Sequence, residues 1–178
     1  MCTINGKERY FNTYFDMVDY LAQNKINYEF PNGVIEHSTA IVQRFLQYCN
    51  GDFVINAVNF KKEIFDTQEI IKAVKDFLTR KNNRILVLVQ DDSIVNKERE
   101  FIKSFQTEIT EKRIEIKKNK YRTGKRFMVV GNAFREATNN ENNDFCAWVN
   151  FNNPAISEKL FNQFLEDFDK AEIIHSLA

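Results

Sequence analysis

Residues 52–92, "DFVINAVNFKKEIFDTQEIIKAVKDFLTRKNNRILVLVQDD", decide the fold. "DFVINAVNF" is a short apolar run ended by a lysine pair, the pattern of a buried strand. From Ile64 the period turns helical: Ile70, Ile71, Val74, Phe77 and Leu78 share one face behind a cap at Asp66 or Thr67. "RILVLVQDD" is apolar without alternation, as in a strand covered on both faces. Strand, helix and strand in close succession form a right-handed βαβ unit and imply a parallel pair.

Toward the N-terminus, "ERYFNTYFDMVDYLAQ" (8–23) sets Phe11, Phe15, Val18 and Leu21 at helical spacing. "INYEFPNGVIEHS" (26–38) interrupts with Pro31 and Gly33, and Ser38 is the expected N-cap of a second helix carrying Ile41, Val42, Phe45 and Leu46. Toward the C-terminus, a helix is predicted over 96–110 from Phe101, Ile102, Phe105 and Ile109. Three strand candidates follow, "RIEIKK", "RFMVVGNAF" and "DFCAWVNF", with "ATNNENND" (137–144) as a polar turn. A last helix opens with Asn153 as N-cap and Pro154 at its first position, where proline is preorganised. Its stripe is Ile156, Leu160, Phe161, Phe164, Leu165 and Phe168. The predicted order is ααβαβαβββα: an α/β fold with a mixed, mainly parallel sheet flanked by helices.

The length of 178 residues suits one domain, and 43% hydrophobic content with 17 Phe suits a packed core. Residues 1–37 read as an N-terminal helical extension and 38–178 as the α/β core. Net charge is +0, so attraction to a polyanion has to come from local clustering. No signal-type segment opens the chain and no apolar run approaches membrane-spanning length, so a cytoplasmic protein with no membrane partner is expected. Cys2, Cys49 and Cys146 form no CxxC pair, which argues for reduced thiols and against structural zinc; no cofactor is expected.

The densest local charge is "KKNKYRTGKR" (117–126), six basic residues in ten. Lys120, Arg122, Lys125 and Arg126 could neutralise phosphates, and Tyr121 among them could stack on a base. A solvated loop balancing the acidic last helix, with Glu158, Glu166, Asp167, Asp169 and Glu172, explains the same pattern. Asp91 and Asp92 follow a strand end and could hold magnesium, although "DDS" is also an ordinary turn and helix-start signal. Glu115-x-Lys117 matches half of a metal-dependent nuclease pattern, but a whole helix separates it from Asp91 and Asp92. The two histidines, His37 and His175, sit at no strand end, and Cys49 and Cys146 read as core residues, so none suggests a nucleophile.

In element order and apolar texture, residues 38–174 resemble the phospholipase D-like superfamily. The segments that carry this are "DFVINAVNF", "EIIKAVKDFLTRKN", "RILVLVQDD", "RFMVVGNAF", "CAWVNFNNP" and "LFNQFLEDFDKA", with Phe164, Phe168, Asp169 and Ala171 in the last. The resemblance implies a histidine and a lysine before an apolar strand, an aspartate after it, and a later glycine-serine-x-asparagine element. Here Gly124 stands in the histidine's place, Arg126 in the lysine's and Gly131 in the aspartate's. Ala147 and Trp148 replace the glycine and serine, and Asn150 is retained. Without imidazole no phosphohistidine forms, while Arg126 keeps the capacity to grip a phosphate bidentately.

The expectation is a catalytically inactive phospholipase D-like domain that binds nucleic acid or another phosphate ligand through Lys120, Tyr121, Arg122, Lys125, Arg126 and Asn150. It would act as a homodimer or as a subunit of a larger assembly, with bacterial regulatory or defence roles by analogy. The alternatives are a metal-dependent phosphodiesterase or nuclease using Asp91, Asp92 and Glu115, and a protein-interaction module.

Overall fold

The computed structural model describes the chain apart from Met1, Asn5, Ile94 and residues 121–125, 140–144 and 175–178. Two short strands, β1 (Cys2–Ile4) and β2 (Lys7–Arg9), pair with each other. Then come α1 (Tyr14–Gln23), β3 (Phe30–Asn32), α2 (Ile35–Tyr48), β4 (Asp52–Ala57), α3 (Lys62–Phe65), α4 (Gln68–Leu78) and β5 (Arg84–Val89). The rest is α5 (Glu100–Ser104), α6 (Gln106–Thr110), β6 (Ile114–Lys118), β7 (Arg126–Val130), β8 (Ala133–Asn139), β9 (Phe145–Asn150), α7 (Pro154–Asp169) and β10 (Glu172–Ile173).

The main sheet runs β10-β6-β5-β4-β7-β8-β9-β3. The predicted βαβ unit is present: β4 and β5 are parallel and joined through α3 and α4, and β5 continues in parallel to β6. The sheet is mixed, as expected, but not mainly parallel, because its other five pairings are antiparallel. The cause is local. "RFMVVGNAF" is not one strand: Gly131 adopts a left-handed φ of 56° and turns β7 into β8. The last three strands of the main body therefore form an antiparallel meander of β7, β8 and β9.

Helix starts follow side-chain chemistry. Thr13 and Asp16 form a reciprocal capping box, so α1 begins at Tyr14, whereas residues 7–9 belong to β2. Thr67 caps α4 by accepting from the Ile70 N–H, and Asn153 caps α7 ahead of Pro154. Ser38 is not a cap. Val34 takes that position without a side-chain bond, and the Ser38 hydroxyl, one turn inside α2, donates to Asn32 Oδ1 at 3.1 Å. The helix predicted over 96–110 is two short helices parted at Phe105. The N-terminal segment is not wholly helical either, since β3 extends the main sheet beside β9.

The sheet separates two apolar clusters. One face packs Phe53, Ile55, Val87 and Val89 against α1, α2, α4 and α5, with Phe45, Phe77 and Phe101 buried between. The other packs Val54, Leu88, Phe127 and Phe134 against α7 through Leu160, Phe164 and Phe168. The predicted helical stripes supply these buried residues.

Candidate functional site

Strand direction gathers the polar chemistry. Ala57, Val89 and Lys118 end β4, β5 and β6 in register. Because β7 runs opposite to β4, with Phe127 paired to Asn56, its first residue Arg126 falls at that same edge. This is the carboxyl edge, where open α/β sheets bind ligands. A cavity of about 470 Å³ sits there, lined by Ser38, Lys61, Arg126 and Arg135 among others, with Ile64, Phe65 and Met128 as apolar wall.

Arg135 comes from β8, paired with Met128, so it is the diagonal neighbour of Arg126 across the hairpin. Such neighbours lie about 7–8 Å apart. Its Nε donates to Asn32 Oδ1 at 2.7 Å and its Nη2 to Ser38 Oγ at 3.3 Å. Asn32 and Ser38 are themselves buried and bonded to each other, so β3 and α2 hold the guanidinium in place. No carboxylate among the described residues pairs with it. Desolvation pushes the Arg135 pKa down to about 10; the Tyr14 hydroxyl opposes this and the Arg126 charge adds to it.

Tyr14 belongs to this cluster as well. Burial pushes its hydroxyl up to about 12, against the Asn32 side chain and the Arg135 charge. Its ring stacks on His37 at 3.6 Å, so that imidazole lies on an aromatic face and not in the cavity. Asn56, which also lines the cavity, is 1% exposed, and its side-chain oxygen and nitrogen have no partner among the described residues.

The sequence-predicted residues are distributed as follows. Arg126 is in the cavity. Tyr121, Arg122, Gly124 and Lys125 lie outside the described residues. Lys120 is paired with Glu172 at 3.2 Å, on the edge formed by β6 and β10. Asn150 pairs with Phe134 at the opposite end of the sheet from Arg126, which pairs with Ala137. It donates to Asn27 Oδ1 at 2.8 Å and accepts from the Asn152 N–H, so it serves structure there and does not join Arg126. Ala147 does line the cavity.

The candidate metal residues do not converge. Asp91 accepts from the Ser93 N–H at 3.0 Å, the turn that "DDS" predicts. Asp92 pairs with Lys118 at 2.9 Å, and this contact raises the Lys118 pKa. Glu115 sits near the start of β6 in register with Leu86, away from that edge. Lys117 donates to the Phe168 carbonyl at 3.1 Å and lies over the Phe168 ring. Among the described residues no three His, Cys, Asp or Glu side chains could hold a metal ion together. Burial pushes the Cys49 thiol up to about 11, which keeps it protonated and inert.

Arg135, Asn32 and Ser38 were not visible as site residues in the sequence. A lone arginine between Phe134 and Glu136 has no pattern to mark it, and the predicted strand ended before it.

No family model matches the chain and no curated protein matches it. Solved structures are similar in fold. TrmBL2, an archaeal chromatin protein with a novel mode of DNA binding, superposes with a TM-score of 0.65 at 13% identity over 89% of this chain. The chain spans 60% of that protein's length. Nuc from Salmonella typhimurium, a phospholipase D family member, gives 0.58 at 15% identity over 83% of this chain and 97% of its own. Phosphatidylserine synthase from Haemophilus influenzae gives 0.54 at 12% identity, covering 90% of this chain and 45% of its own. The fold is phospholipase D-like. No helix among the described residues is long and apolar enough to cross a membrane.

Proposed function

We propose that the chain is a phospholipase D-like binding protein for nucleic acid that lacks the hydrolytic chemistry of its fold. The observation that carries this is Arg126, in the place the resemblance gives to the family's lysine, opening on a cavity shared with a second arginine. A guanidinium there can hold a phosphate through two parallel hydrogen bonds, yet it does not take the place of an imidazole nucleophile. Gly124 offers no nucleophile at the histidine's position. Binding survives these replacements and turnover does not.

The fold is shared with a chromatin protein that binds DNA and with phospholipase D family enzymes, which supports a nucleic-acid ligand without fixing its sequence. The basic cluster over 117–126 joins β6 to β7, which stand on either side of β5 and β4. With Arg126 and Arg135 both on the cavity, a chain of net charge +0 has a local attraction for phosphate.

Fluorescence anisotropy with a circularised 40-nucleotide DNA strand, which has no ends, tests the proposal across a salt series. The expected result is binding whose affinity falls with salt at a logarithmic slope of about −2 to −3, as three or four neutralised phosphates on a single strand predict. Arg122→Ala together with Lys125→Ala should weaken it about tenfold. Hydrolysis of bis-p-nitrophenyl phosphate should stay at the background rate with magnesium or with EDTA. Salt-independent or absent binding overturns the proposal, and so does metal-dependent hydrolysis that Glu115→Ala abolishes.

A further inference from the structure

We propose that the cavity between β4, β7, β8 and the start of α2 is a pocket for the terminal phosphomonoester of a nucleoside, whether a free nucleotide or a strand end, with Arg126 and Arg135 as its contacts. This rests on the nucleic-acid function proposed above and names the part of the ligand that enters the cavity.

Four observations converge on it. The Arg135 guanidinium is half-buried, and its hydrogen bonds go to neutral acceptors, Asn32 Oδ1 and Ser38 Oγ. A cation drawn partly out of water with no anion beside it fits a site completed by a ligand. Second, Arg126 sits diagonally across the hairpin and its charge presses on Arg135. An anion between them turns this repulsion into attraction.

Third, Gly33, Val34 and Ile35 line the same cavity, so the first turn of the 14-residue helix α2 opens on it, and that turn has no side-chain cap. Its amide N–H groups and dipole add to the arginine field. Fourth, the rim is apolar. Val34, Ile35 and Val58 are 49%, 37% and 38% exposed at the cavity, with Phe65 behind them. Exposed branched residues beside two cations suit a ligand with a flat apolar part next to a charged one, as a nucleotide has.

Charge and size select the monoester. A phosphodiester carries one negative charge, whereas a terminal monoester approaches two near neutral pH, answering both guanidiniums. A volume of about 470 Å³ is that of a small-molecule pocket and has no room for a duplex. A diester inside a strand would also have to bring chain in and lead chain out past Arg135.

The test uses internally labelled 12-nucleotide DNA strands ending in hydroxyls, in a 5′-phosphate or in a 3′-phosphate, with adenosine 5′-monophosphate as competitor. A phosphorylated end should tighten binding at least tenfold over the hydroxyl strand. That ratio should fall below threefold in Arg135→Met and stay above it in Arg135→Lys. If Arg135→Met does not fold, Arg126→Gln, a half-buried change at a strand end, is read for the same loss of ratio. A gain for a phosphorylated strand assigns the pocket to strand ends. Competition by the mononucleotide without such a gain assigns it to free nucleotides, and both outcomes support the proposal. Equal affinity for all three strands with no competition overturns it, even where the circular strand still binds and the broader function stands.

Discussion

At the scale of single residues, Arg135 ties stability to binding. Its pKa is depressed to about 10 by desolvation, so the folded chain holds that proton less firmly than the unfolded chain does. The sign follows. For a cation with a lowered folded pKa, the penalty is fully present at neutral pH and fades as pH rises through about 10. Arg135→Met should therefore raise the melting temperature of the ligand-free protein at pH 7 by about 2–4 °C, for roughly 1 kcal/mol recovered. Inorganic phosphate should stabilise the wild type and leave the variant unmoved. Differential scanning calorimetry reads both, and a lower melting temperature for the variant would mean that the bonds to Asn32 and Ser38 outweigh the desolvation. The site was partly legible at this scale. Arg126 belongs to a basic cluster, and clustering is visible in a sequence. Arg135 acquires its partners from residues about a hundred positions earlier, and Asn150 is turned away from them by strand pairing, which no local pattern encodes.

At the scale of elements, the βαβ half was legible because its signals are local. Apolar runs, a helical stripe and Thr67 as cap lie inside one stretch, and β4, α4 and β5 form where expected. The antiparallel half turns at Gly131-Asn132, a two-residue hairpin signal present in the sequence, but the apolar residues on both sides make β7 and β8 read as one strand. This turn also carries Gly131, which the resemblance sets in the aspartate's place. Gly131 has φ 56°, and a Cβ there would meet only the Asn50 carbonyl oxygen at 3.5 Å, an ordinary contact. Gly131→Asp should thus fold and lose about 1 kcal/mol to the left-handed backbone, a conformation that Asp tolerates better than most residues. Thermal unfolding should show a drop of about 2–4 °C. Phosphodiester hydrolysis should not appear, since an aspartate there does not restore the missing imidazole. A loss beyond about 3 kcal/mol would show that the turn has no space for a side chain.

At the scale of the whole molecule, the helices are unevenly shared between the two faces of the sheet. One face is covered by α1, α2, α4 and α5, knit by Phe45, Phe53, Phe77 and Phe101. The opposite face relies on α7, through Leu160, Phe164 and Phe168. This asymmetry was not legible, since which face a helix covers depends on chain crossings and not on its own periodicity. It has a consequence for opening. Releasing α7 gives up one helix's burial while the larger cluster stays intact, so that motion costs less than global unfolding. Native-state hydrogen exchange should place α7 amides in a lower-energy opening, with β4 and β5 amides exchanging only through full unfolding. Phe164→Ala, which empties the middle of the smaller cluster, should cost about 3–5 kcal/mol overall. It should speed exchange in α7 before it does so in α2 and α4. The cavity is lined from β4, β7, β8, β9 and the α2 and α3 side, with no residue from α7. Phosphate-dependent protection should therefore persist at Arg126 and Arg135 in that variant at temperatures where it still folds. Loss of protection there would mean that the two faces of the sheet open together.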